Sequence, residues 1–154
     1  MRYIPHILAI FASMIFIDSL RFKFTDHPNT QEIFNRLDVW AGSLGAQGLF
    51  AHTGLFSQYV IGSAELVASA LLLLGILPAL RRLQAIGALI GLGVMSGAIS
   101  FHLFTPLGTD PNNDGGLLFV MAVCVWLSCA TLIVWRRKQL ANVLRGICKA
   151  VFSA

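Results

Sequence analysis

Four apolar runs, each close to bilayer length, divide the chain: residues 4–20, 57–77, 83–104 and 116–135. A membrane-spanning helix needs about 20 mostly apolar residues, so each run predicts one span. Their ends carry stop signals: "DSLRFKF" after the first, Pro78 after the second, Pro106 after the third and "RRK" after the fourth. The first run has a single Arg before it and no small-x-small cleavage site after it, so it reads as a retained helix. In the segment joining the first two runs, Ile33, Phe34, Leu37, Trp40 and Ala41 follow helical spacing. Asn29 and Glu32 resemble a capping box, and Glu32 and Arg36 stand as an i,i+4 pair on the polar side. The pattern predicts an amphipathic helix at the outer interface with Trp40 as its anchor. The glycine-rich "GSLGAQGLFAHTG" then makes an irregular return. After the fourth run, Leu140, Val143, Leu144, Ile147 and Val151 share one face of a tail helix suited to an anionic lipid surface. The expected fold is therefore all-α, one domain over residues 1–154: a membrane four-helix bundle with an interfacial helix in its first outer loop and a basic amphipathic tail over 136–154.

Composition strengthens this reading. The chain is 56% hydrophobic and 12% charged, about half the charge of a soluble domain. Its net charge of +4 is unevenly placed: Arg136, Arg137, Lys138, Arg145 and Lys149 all follow the fourth run. Basic residues elsewhere form no face interleaved with aromatics, so no nucleic-acid partner is expected. Lys and Arg placement predicts both termini on the cytoplasmic side, with Arg2, Arg81, Arg82 and the tail inside and Arg21, Lys23 and Arg36 outside. Cys124, Cys129 and Cys148 include no C-x-x-C, and the expectation for them is small, buried apolar residues. Gly87, Gly91, Gly93 and Gly97 in the third run make two small-xxx-small pairs that favour close helix approach.

Ionisable groups within spans are costly and mark functional candidates. Glu65 lies in the second run, Asp18 near the end of the first, and His102 near the end of the third. With the predicted orientation all three fall in the outer half, beside Arg21 and Lys23. The candidate site is thus an outer polar pocket of Asp18, Arg21, Lys23, Glu65 and His102, in which a carboxylate pairs with His102 or Arg21. Two readings stand for Glu65 and for His102, a functional group or a structural hydrogen bond or ion pair; for Asp18, packing at a helix end is favoured. "TDPNNDGG" is turn chemistry, with Asp114 placed to cap the fourth helix. His102, Asp110 and Asp114 lack metal-ligand spacing, so no metal is expected.

"RFKFTDHPNTQEIF", "GSAELVASALLLLG" and "SGAISFHLFTPLGTDPNNDGGLLF" resemble the DoxX-like family of small bacterial membrane proteins, over residues 10–135. The shared pattern is an aromatic-Lys-Phe after the first span, G-x-x-E-L in the second and a small-residue third span. The resemblance implies a bacterial inner-membrane bundle, with Lys23 and Phe24 as the first signature and Glu65 as the second-span acid. It brings no catalytic set, and leaves open whether the chain is an enzyme. It implies a ligand- or quinone-binding accessory subunit of a membrane redox system, with the bilayer and a membrane protein or second copy as partners. The alternatives are a non-enzymatic scaffold or assembly factor, and a small proton-coupled transporter using Glu65 and His102.

Overall fold

The computed structural model describes residues 3–152, apart from the side chains of residues 147, 151 and 152. All regular structure among the described residues is helical: α1 Ile4–Lys23, α2 Pro28–Ser43, α3 Gln58–Leu74, α4 Arg81–Phe104, α5 Leu117–Trp135 and α6 Arg137–Phe152, with one 3-10 turn, Pro78–Leu80, leading into α4. Three helical segments are long and apolar enough to cross a membrane: Ile4–Lys23, Pro78–Phe104 and Leu117–Trp135. The fourth predicted span is the shorter apolar α3.

Boundaries shift for local reasons. The helix predicted for 4–20 runs on to Lys23, where Arg21 and Lys23 in the last turn suit the negative end of its dipole. The span predicted over 57–77 stops at Leu74 because Gly75 passes over the start of α4. A Cβ at Gly75 would lie 2.3 Å from the Gln84 backbone nitrogen. The Asn29–Glu32 capping box does not form. Instead Pro28 takes the first helical position, where its missing N–H costs nothing, and His27 Nδ1 accepts from the Asn29 N–H at 3.3 Å. Glu32 and Arg36 do pair, at 2.7 Å.

α1 packs against α3 and α5, and α4 packs against the same two helices from the other side. Ala9, Ala12, Phe16, Ala68, Leu72, Ala88, Met95, Val125, Cys129 and Leu132 fill the space between them. The alanines keep the helices close. Gly87 and Gly91 belong to this contact: a Cβ on Gly87 would lie 2.8 Å from the Ala68 carbonyl, and one on Gly91 2.9 Å from Cys129 Sγ. Gly93 and Gly97 do not share it. Gly93 faces open space, and Gly97 meets only the rim of Phe101 in its own helix. Around this core, Ile7, Met14, Leu66, Leu127 and Val134 point outward uncovered, an apolar perimeter that water does not favour.

The α2 stripe does not lie bare. Leu37 and Ala41 are buried with Phe50 and Leu107, and Ile33, Phe34 and Trp40 pack around them. α2 and the α4–α5 turn therefore cap one end of the molecule together. At the opposite end α6 lies against α4 and α5. There Leu140 and Val143 are partly covered and Leu144 is exposed. Ile147 and Val151, assigned to the same face, lie outside the described side chains, and Arg2 lies outside the described residues. Two expectations at this end need correction. Cys148 is exposed rather than buried, because it lies on α6 away from the core. Arg136 is buried at 7% exposure rather than part of the surface charge, because its Nε donates to the buried Gln84 Oε1 at 2.8 Å.

Candidate functional site

The end capped by α2 carries the buried charge. Glu65 lies seven residues into α3, roughly 10 Å from its start at 1.5 Å per residue. Its side chain is 2% exposed, and that of Lys23, from the last turn of α1, is 15% exposed. Lys23 Nζ donates to Glu65 Oε1 at 3.1 Å and lies 3.1 Å from Oε2. Lys23 Nζ also donates to Ser19 Oγ, one turn back on α1. Glu65 Oε2 is buried and, among the described residues, receives no hydrogen bond. Gly62, three residues before Glu65, faces the same end of α1. A Cβ there would lie 3.3 Å from the Phe24 ring and 3.5 Å from Lys23 Cβ. The G-x-x-E spacing therefore has a physical meaning: the glycine faces the Lys-Phe end of α1 and the glutamate one turn later meets its ammonium.

A second, more exposed network adjoins the pair. Asp26, in the turn after α1, accepts at Oδ1 from Gln58 Nε2 at 2.6 Å, Tyr59 Oη at 2.6 Å and Gln31 Nε2 at 3.2 Å. Gln31 also donates to Gln58 Oε1 at 2.8 Å, and Gln58 to the Lys23 carbonyl at 2.8 Å. His52 Nε2 meets the Tyr59 hydroxyl at 3.1 Å. The Tyr59 hydroxyl is the first cause that holds the Asp26 carboxyl below its ordinary range. The network ties the start of α2 and the loop before α3 to the α1–α3 junction.

Of the predicted pocket, then, the fold joins Lys23 to Glu65 and Asp18 to Arg21, and His102 bonds to neither pair. Asp18 and Arg21 pair with each other at 3.2 Å on an exposed face, with side chains 61% and 74% exposed. The expected contact of His102 with a carboxylate does not form. Its Nδ1 donates to the Gly108 carbonyl at 2.6 Å, and its ring meets Phe119 edge-on, 5.6 Å between centroids. His102 thus fastens the end of α4 to the turn beyond it and to α5. In that turn Asp114 accepts from the backbone N–H groups of Gly116, Leu117 and Leu118 at 2.9–3.2 Å, capping α5 as expected. Asp110 in turn accepts from the Asp114 N–H at 2.8 Å.

Sequence reasoning missed Asp26, Gln58 and Tyr59. The available signal was Gln58, an amide side chain in the first turn of an apolar helix, which burial obliges to find partners. The arrangement offers a strong donor, Lys23 Nζ, beside a buried acceptor, Glu65 Oε2, at the edge of an apolar helix assembly. That combination suits an uncharged ligand with a carbonyl or hydroxyl at one end and a hydrophobic body. No family model, no curated protein and no solved structure matches the chain.

Proposed function

We propose that the chain is a four-helix inner-membrane protein of the DoxX-like type, with both termini in the cytoplasm, that acts as a ligand- or quinone-binding accessory subunit of a membrane redox system. The observation that carries this reading is the buried Lys23–Glu65 ion pair, whose Oε2 receives no hydrogen bond among the described residues. A quinone carbonyl needs a hydrogen-bond donor and a quinol hydroxyl needs an acceptor; the pair supplies both at one point. The exposed apolar flanks of α1 and α3 suit an isoprenoid tail. Electrons would come from a partner subunit, and the chain's part is to seat the ring. The juxtaposition of Lys23 and Phe24 with Gly62 and Glu65 joins both motifs of the family resemblance in one contact, which supports the same reading.

The test is quinone reduction by membranes that contain or lack the protein, and by membranes carrying Glu65→Gln. Losing a hydrogen bond to a charged group costs about 1.5–3 kcal/mol, so Glu65→Gln should weaken quinone binding by roughly 10- to 100-fold. Equal rates in all three membranes would reject the reading. Lys23→Met is the stability control. It leaves a buried carboxylate without its cation and should lower stability by about 3–5 kcal/mol in a detergent melt. A second reading, a non-enzymatic scaffold, draws on the uncovered Gly93 side of α4, where a partner helix has room to approach. Recovery of a stoichiometric partner in mild detergent, with quinone reduction unaffected, would favour it.

A further inference from the structure

The end opposite α2 is rich in cations. All seven Asp and Glu residues lie within residues 18–65 or 110–114. The ion pairs Arg21–Asp18, Lys23–Glu65 and Arg36–Glu32 all belong to the α2 end or its approach. The junction of α4 with α5 and α6 carries Arg81, Arg82, Arg136, Arg137, Lys138 and Arg145, and no Asp or Glu side chain follows Asp114 in the sequence. Two of these cations are drawn into the fold. Arg136 is 7% exposed and held by Gln84, itself wholly buried and anchored on the Pro5 carbonyl at 3.5 Å. Arg81 presents a buried Nε that meets no acceptor among the described residues. Gln84, which holds Arg136, stands one turn after Arg81 on α4, and burial first, and the Arg81 charge second, push Arg136 below the ordinary range of its group.

A buried and a half-buried guanidinium near one another are unfavourable unless an anion lies close to them. The setting selects that anion. α4 and α6 begin at Arg81 and Arg137, next to these residues in the chain. Arg137, Lys138 and Arg145 line an adjoining open groove of about 530 Å³ on α6. The apolar perimeter of α4 and α5 continues directly from this charge. Phosphate oxygens above and acyl chains below match that sequence of surfaces. Arginine suits the upper part because its planar fork meets two phosphate oxygens at once.

We propose that the Arg81–Arg136 corner binds the phosphodiester of an anionic phospholipid, with the basic face of α6 laid on the same leaflet. The site is independent of the quinone reading and shares with it only the membrane placement. A phosphate over the half-buried Arg81 offsets the repulsion between the two arginines.

The experiment uses the purified full-length protein in a neutral detergent. Phosphatidylglycerol or phosphatidylcholine is titrated in, and bound lipid is counted by native mass spectrometry. The wild type should retain phosphatidylglycerol over phosphatidylcholine. Arg81→Gln and Arg136→Gln should each weaken phosphatidylglycerol binding about fivefold, the effect of one cation at an anionic surface. Arg136→Lys should keep part of the binding, since charge remains and the fork is lost. Arg81→Gln should leave the melting temperature unchanged or raised in lipid-free detergent, since it removes a repulsion; this variant carries the test alone if Arg136→Gln unfolds. Equal retention of the two lipids would overturn the proposal. So would undiminished phosphatidylglycerol binding in Arg81→Gln. Full displacement of the lipid by millimolar inorganic phosphate would also overturn it, by assigning the corner to a free anion.

Discussion

Asp26 holds a left-handed backbone conformation, φ +53°, that few residues other than glycine, Asn and Asp adopt readily. One oxygen of its side chain collects three donors, from α2 and from α3. Its pKa is lowered by the Tyr59 hydroxyl first, so the folded state favours the carboxylate. The stabilisation is then complete above the ordinary aspartate range, near 4, and is lost as pH falls through the lowered folded value. The melting temperature of the wild type should therefore drop on acidification below about pH 4 more steeply than that of Asp26→Asn. Parallel melting curves for the two would show that this carboxylate contributes nothing specific. Residue-scale chemistry was only partly legible in the sequence. Lys23 and Glu65 were among the candidates, yet they stand 42 positions apart and meet only once α1 and α3 have packed. Asp18 precedes Lys23 by five residues, about 140° around the helix, so the two cannot serve one pocket.

At the scale of elements, α4 has two unlike faces. Gly87 and Gly93 are six residues apart, about 240° around the helix, so the paired small residues point in different directions. Gly87→Ala places a Cβ against the α3 backbone, which cannot yield without moving the helix. It should cost about 1–3 kcal/mol. Gly93→Ala enters open space inside the helix and should stabilise by about 0.5–1 kcal/mol, since alanine is the better helix former. Chemical unfolding in mixed micelles separates the two, and an equal effect would contradict the packing described. The sequence reading recognised both glycine pairs but not which met a neighbour. Helix existence was far more legible than helix contact, since apolar runs bounded by Pro, Gly and charge locate α1, α3, α4 and α5 directly. The start of α2 was misplaced by one motif, because an Asn-x-x-Glu pattern competed with a proline at the first helical position and the proline prevailed.

At the scale of the whole molecule, charge and accessibility differ from end to end. Cys148 is exposed on α6 and Cys129 is fully enclosed. An impermeant maleimide should modify Cys148 in detergent and in inverted vesicles and leave it unmodified in intact spheroplasts, with Cys129 unmodified throughout. Labelling of Cys148 from outside would reverse the proposed orientation. Global architecture was readable because it rests on composition and length. The Gln84–Arg136 contact was not, because residues 52 positions apart meet only once α4 and α5 have packed.

The 17 residues of α3 rise only about 25 Å, against a hydrocarbon layer of about 30 Å. It is bounded by the Gln58 network at one end and by Gly75 pressed on Gln84 at the other, so neither end has freedom to lengthen. In the proposed membrane placement, a bilayer meeting this side of the protein must thin, or its headgroups and water must reach down along α3. Hydrophobic mismatch is thus concentrated on the helix that carries Glu65, and acyl-chain length becomes a control on how wet the buried ion pair is. Short-chain lipids would seal it, and long-chain lipids would draw the polar layer toward it.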